Sequence, residues 1–205
     1  CGSQNLKEDA IIEAQANTVE LALRLADQAP KEPEFLNIGG GFGIPYFPGD
    51  QPIELQAIGE GLEKHLSSVQ NALGGTRLVL ELGRYIVGEA GIYVCRVRDR
   101  KVSRGQVFLV TDGGLHHHLA LSGNFGQVIR KNYPVIIGNR IISEDTETQT
   151  IVGPLCTPLD ILGTSMELPV ADVEDLVVVF QSGAYGLTAS PLGFLSHPAP
   201  AEILV

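Results

Sequence analysis

The sequence predicts an α/β segment followed by an all-β domain. Helical spacing of apolar residues is confined to the first half of the chain, where short apolar runs interrupt it. The second half is a series of β-rich runs divided by Gly, Asn, Asp and Pro turns. Helices and strands that alternate at this length imply parallel strands joined by βαβ crossovers. The change of character near Ile92 divides the chain into 1–91 and 92–205.

In order, Ile12, Ala16, Val19, Leu23 and Ala26 make one apolar stripe of a helix that ends near Pro30. "FLNI" (Phe35 to Ile38) is a short strand that runs into Gly39, Gly40 and Gly41. Ile58, Leu62, Leu66, Val69 and Leu73 mark a second amphipathic helix, stopped by Gly74 and Gly75. "RLVLEL" (Arg77 to Leu82) is the next strand, broken by Gly83, and a third helix is expected over about Arg84 to Ile92. Beyond it, "YVCRVRDRKV", "GQVFLVTD", "YPVIIGN" and "DLVVVFQSG" read as strands.

Composition narrows the classes. A chain of 205 residues, 44% hydrophobic and 19% charged, is globular and long enough for a core. Its net charge is −10, and the nearest basic cluster, "RVRDRKVSR" (Arg96 to Arg104), alternates like a solvated strand face, which argues against nucleic-acid binding. Cys1, Cys95 and Cys156 are too widely spaced for a disulfide framework or a zinc pattern, so a reducing, cytoplasmic compartment is expected. No apolar run approaches transmembrane length, no signal-peptide pattern is read, and no membrane association is expected. The opening "CGSQ" reads as the interior of a longer protein.

Glycines placed directly after a strand let backbone N–H groups surround an anion, commonly a phosphate. Two phosphate motifs fail here: no Gly-Lys-Ser/Thr follows the loop, and Ile44 stands where G-x-G-x-x-G needs its last glycine. A tight turn with positive φ is the plainer alternative. The next strand favours a ligand, because Glu81 and Arg84 fall at its C-terminal end, where barrels of parallel strands keep their chemistry. A glycine cup and an arginine suit a phosphate monoester, and a nearby carboxylate suits a protonated ring nitrogen. Pyridoxal 5′-phosphate carries both.

At these residues the chain resembles the fold-type III pyridoxal-phosphate decarboxylases, which include the diaminopimelate, ornithine and arginine enzymes. "GSQ" (Gly2 to Gln4), "GGGF" (Gly39 to Phe42), "ELGR" (Glu81 to Arg84), "GPLCTPLD" (Gly153 to Asp160), "GAYG" (Gly183 to Gly186) and the tail "HPAPAEILV" match that family's motifs in order. The resemblance implies the C-terminal part of a (β/α)8 TIM-type barrel followed by a Greek-key-like β-barrel domain. It implies that Ser3, Gly39, Gly40, Gly41 and Arg84 hold the cofactor phosphate. Glu81 would face the pyridine nitrogen, Tyr185 would touch the phosphate, and Cys156 would protonate the α-carbon from the partner subunit of a homodimer. Thr157 and Asp160 would lie at the substrate, with Asp160 positioning either the substrate or the cysteine.

The departures are as informative. Lys7, Lys31, Lys64, Lys101 and Lys131 all lie outside the context of the lysine that tethers the family's cofactor, and the histidine that stacks on the ring belongs before Cys1. A piece of a longer enzyme, inactive alone, is therefore expected. Thr157 stands where diaminopimelate and ornithine enzymes carry an acid, Leu82 replaces a proline, and "LHHHLALSGNFGQ" after "DGG" has no arginine for a distal carboxylate. The expectation is a substrate other than a small diamino acid, since unpaired charges are costly. "SGNFGQVIRKNYP" resembles a subgroup acting on unusual or carrier-bound amino acids. His116, His117 and His118 would point to alternate faces of a strand and so could not all bind one metal. A polar loop near the site is preferred over a metal. Two alternatives remain open: a non-catalytic cofactor- or partner-binding relative, and an amino-acid racemase of the same fold type, against which the "GPLCTPLD" context argues.

Overall fold

The computed structural model describes residues 2–123 and 130–205. Two compact units emerge, Cys1–Ile86 and Val87–Val205. Residues 124–129, the centre of "SGNFGQVIRKNYP", and Cys1 lie outside the described residues.

In the first unit, α1 (Glu8–Ala26) and α2 (Leu55–Ala72) pack beside a parallel pair, β1 (Phe35–Gly40) and β2 (Arg77–Glu81). The crossover through α2 forces the parallel arrangement. Val19, Ile38, Val69 and Leu73 form one core cluster, and Ile11, Phe42, Ile53 and Ile58 form another. The buried line of α1 is Ile11, Gln15 and Val19, so its face is centred one residue before the stripe predicted from Ile12 and Ala16. The β1–β2 register runs from Phe35 opposite Arg77 to Gly40 opposite Glu81, with an irregularity after Asn37. Asn5 adds a single parallel bridge to Phe42. No closed barrel of parallel strands exists among the described residues.

The expected third helix is α3 (Gly83–Val87), followed by a 3-10 turn at Gly88–Ala90. Past its end the backbone serves another segment: Gly183 N–H donates to Gly88 O at 3.0 Å, and Ser182 N–H to Gly91 O at 2.8 Å.

The second unit is one six-stranded sheet of β3 (Tyr93–Ser103), β4 (Gln106–Thr111), β5 (Val135–Ile137), β6 (Thr146–Val152), β7 (Ile161–Pro169) and β8 (Leu176–Val179), ordered β5-β8-β3-β4-β6-β7. Every pairing is antiparallel except β4 with β6. Edge strands β5 and β7 approach each other, so the sheet is nearly closed and few backbone groups are left at an edge. Val97, Leu109, Ile137, Ile151, Leu162 and Val177 fill its interior.

Two strands, β6 and β7, were not predicted. "TETQTIV" offers mostly polar residues, and "ILGTSMELP" is broken by Gly163 and by Ser165, whose φ is 49°. Pairing across the sheet, rather than local pattern, makes them strands. Among the described residues no helix is long and apolar enough to cross a membrane.

Candidate active site

The glycine loop of the first unit is shaped by backbone on both sides. Gly39 and Gly41 have φ of 84° and 81°. A Cβ on Gly40 would overlap the carbonyl oxygen of Glu81, and one on Gly41 would overlap that of Gly2. Only glycine meets both demands. Residues 2–5 run alongside: Asn5 N–H donates to Gly41 O at 2.8 Å, and Gly43 N–H to Asn5 O at 2.8 Å. Gln4 then joins the parts, since its Oε1 accepts from Ile44 N–H at 3.2 Å and from Arg84 Nη1 at 3.0 Å.

Ser3, Gly41 and the half-buried Arg84 therefore converge, and the ladder sets exposed Glu81 opposite Gly40. A hydroxyl, backbone N–H groups, a guanidinium and an adjacent carboxylate are the donor set a phosphate with a protonated ring requires, and the residues fit pyridoxal phosphate. Gln4, noted only as part of "GSQ", proves to be the piece that links loop to arginine.

In the second unit, loops gather at one end of the sheet. Asp160 is 2% exposed, and its carboxylate accepts Leu115 N–H at 2.7 Å and Leu155 N–H at 2.8 Å. It thereby ties the segment after β4 to the segment after β6, which carries Cys156 and Thr157. A Cβ on Gly114 or Gly153 would strike that carboxylate, which explains both glycines. The carboxylate thus fixes backbone on both sides of the turn that carries Cys156. Cys156 is exposed, whereas Cys95 is buried and its thiol is pushed up to about 12 by burial. Thr157 is half-buried, and its Oγ1 accepts Leu159 N–H at 3.3 Å inside the same turn.

His116, His117 and His118 lie in a turn rather than a strand, and all three are buried. His117 Nδ1 pairs with Tyr93 OH at 3.1 Å and His117 Nε2 with Pro198 O at 2.8 Å; His118 Nε2 pairs with Ser182 Oγ at 3.2 Å. No metal-binding group of three His, Cys, Asp or Glu occurs among the described residues. Burial lowers His116 and His118 to about 4, and pushes the Tyr93 hydroxyl far above its ordinary value.

Tyr185 is 43% exposed with φ of 59°, a left-handed conformation uncommon for a bulky residue and often a mark of function. It borders a cavity of about 260 Å³ with Tyr93, His117, His118 and Ser182. Tyr93 carried no signal in the sequence, because its role arises only from the pairing of β3 with the turn after β4.

Comparison with known proteins places the chain in a family. Residues 25–183 match the family model described as pyridoxal-dependent decarboxylase, C-terminal sheet domain. An L-glutamyl-[BtrI acyl-carrier protein] decarboxylase of Niallia circulans is 40% identical over 99% of this chain and 48% of its own length. A diaminopimelate decarboxylase of Methanothermobacter thermautotrophicus is 30% identical over 100% and 46%. Diaminopimelate decarboxylase of Helicobacter pylori in complex with L-lysine superposes with a TM-score of 0.79 at 24% identity, covering 97% of this chain and 46% of that one. That of M. jannaschii, also with L-lysine, gives 0.82 at 24% identity, covering 97% and 44%. The chain thus spans about half the length of the curated relatives it matches.

Proposed function

This chain belongs to the pyridoxal-dependent decarboxylase family, and from that premise we propose that the protein carrying it releases CO2 from an amino acid with pyridoxal 5′-phosphate as cofactor. The glycine cup joined through Gln4 to Arg84 is the observation that carries the reading. When bound, the cofactor supplies an electron sink for the pair left on the α-carbon as CO2 departs.

The chain's own residues divide the remaining work. Ser3, the N–H groups of Gly39, Gly40 and Gly41, and Arg84 would hold the phosphate, and Tyr185 would add a contact to it. Glu81 would face the ring nitrogen and keep it protonated. Cys156, exposed on its loop, delivers a proton to the α-carbon in the partner subunit of a homodimer. Asp160 fixes that loop through Leu155, and Thr157 faces the substrate. In this reading residues 1–91 are the cofactor-binding end of a (β/α)8 barrel, residues 92–205 are its β domain, and the relatives' other half supplies the tethering lysine. The assembly is cytoplasmic.

The substrate differs from a free diamino acid. Thr157 offers no charge for a distal amine, and His116 and His118, held neutral by burial, occupy the turn where a distal carboxylate would need a cation. The Niallia relative bears the name of an enzyme for glutamyl carried on an acyl-carrier protein, and we extend that class, an amino acid with an uncharged distal linkage, to this protein. The test is CO2 release by the whole protein with added cofactor. Aminoacyl thioesters are the expected substrates; fast turnover of free diaminopimelate, ornithine or lysine overturns the substrate class. Inversion at the α-carbon without CO2 overturns the reaction.

A further inference from the structure

Gln4 stands next to Ser3 and carries no role in the chemistry proposed above. Its backbone has φ of 55°, a left-handed conformation that residues other than glycine and asparagine rarely adopt. Such strain persists where the surroundings enforce it, and here the side chain is the part enforced. Gln4 Nε2–H donates to Ile44 O, while Oε1 accepts from Ile44 N–H at 3.2 Å and from Arg84 Nη1 at 3.0 Å. The partners decide which way round the carboxamide lies. Ile44 N–H and Arg84 only donate, and Ile44 O only accepts, so the reversed amide would set like against like at all of these contacts. The backbone of the glycine loop therefore turns the Gln4 oxygen toward the guanidinium.

Arg84 has a further support in buried Tyr46, over whose ring the guanidinium carbon sits 5.4 Å from the centre. Both of these contacts hold the cation without cancelling it. A carboxamide and an aromatic face carry no net charge, whereas a carboxylate at either place would bring a full negative one. A guanidinium steadied by neutral groups keeps its charge for an anionic ligand, and it has less side-chain freedom to lose when that ligand binds. Glutamate would reach Arg84 from position 4 equally well, but it could not donate to Ile44 O and would compete with the anion.

We propose that Gln4 is a positioning residue: it presents the Arg84 guanidinium, with its charge intact, to the cofactor phosphate, and so makes the site prefer the phosphorylated ring to the same ring without phosphate. The inference rests on the proposed function, which gives that phosphate to Arg84. It assigns the glutamine of "GSQ" a part of its own beside the one implied for Ser3.

The probes are pyridoxal 5′-phosphate and pyridoxal, which differ only in the phosphate, and their affinities for the whole protein are measured by equilibrium dialysis. Gln4→Met keeps the length and neutrality of the side chain and removes the amide. Gln4→Glu keeps an acceptor and adds a charge. In Gln4→Met the preference for the phosphorylated probe should fall about tenfold or more, the worth of a hydrogen bond to a charged group, with pyridoxal affinity unchanged. In Gln4→Glu it should fall further, because the carboxylate offsets the guanidinium and repels the phosphate. A merely structural role would weaken both probes together and leave their ratio alone. An unchanged ratio in Gln4→Met, or a full ratio in Gln4→Glu, overturns the proposal, and either variant decides if the other fails to fold. The unmodified protein reports on the proposed function separately. Equal affinity for the two probes would take the phosphate out of the site and sink that reading, whereas a strong preference that the variants retain would sink only the role of Gln4.

Discussion

The glycine loop of the first unit and the loop cluster of the second solve one problem in opposite ways. Both must hold backbone in a shape that does not form by default. The first does it with main chain alone: Gly40 and Gly41 press on carbonyl oxygens of Glu81 and Gly2, and no side chain would fit. The second does it with buried side chains, chiefly Asp160, His117 and His118, each reaching backbone or hydroxyl far away in sequence. A site built from backbone tolerates no added atoms, whereas a site built from side chains tolerates no lost ones.

The harshest way to break that contrast is to add atoms to the first. Gly41→Val places a β-branched residue at φ of 81° and against a carbonyl oxygen; left-handed strain of about 1–2 kcal/mol and overpacking of about 1–3 more are expected. Urea unfolding should show a total of about 2–5 kcal/mol, with loss of cofactor binding, and a change below ~1 kcal/mol would mean that the loop is not sterically closed. Removing atoms from the second comes next. Asp160→Ala strands the N–H groups of Leu115 and Leu155, each at about 1–3 kcal/mol, so destabilisation of about 2–6 kcal/mol is expected. The same change should slow proton delivery by Cys156, seen as kcat falling more than KM rises.

How far each region was legible follows from the same contrast. Glycine advertises itself, so "GGGF" and its company of Arg84 and Glu81 could be read directly, as could the strand before it and both long helices. Asp160 could be found only through the motif around it, and its buried clamp geometry not at all, because its partners lie 45 and 5 residues away. Strands β6 and β7 were hidden for a related reason: their neighbours, not their own alternation, hold them in the sheet. The histidine triplet reads as a polar loop, and its burial in a turn could not be read from the sequence.

A gentler test separates the two regions by pH. His118 is held near 4 by burial, below the 6.5 of a free imidazole. The unfolded chain therefore binds the proton more readily, so the stabilising contribution is fully present above about pH 6.5 and is lost as pH falls toward 4. The loss should approach about 3 kcal/mol, since each pKa unit is worth ~1.4 kcal/mol. Thermal unfolding from pH 7 to 4 should show this slope together with that of His116, which burial holds as low, and His118→Phe should remove about half of the total. An unchanged slope in that variant would place the acid sensitivity elsewhere.

The smallest effect belongs to charges that neither region uses. Arg98 reaches Glu174 at 3.0 Å, but the two side chains are 57% and 60% exposed. Arg100 Nη2 donates to both carboxylate oxygens of Glu147, at 2.7 and 3.0 Å, with both side chains 26% exposed. Water screens the first pair almost completely, so Arg98→Ala should shift stability by less than about 0.5 kcal/mol. The second keeps a fixed geometry between β3 and β6 and is partly shielded, so Arg100→Ala should cost about 1 kcal/mol. A double-mutant cycle on Arg100 and Glu147 would isolate that coupling. If Arg98→Ala cost as much as Arg100→Ala, exposure would not be what ranks these pairs.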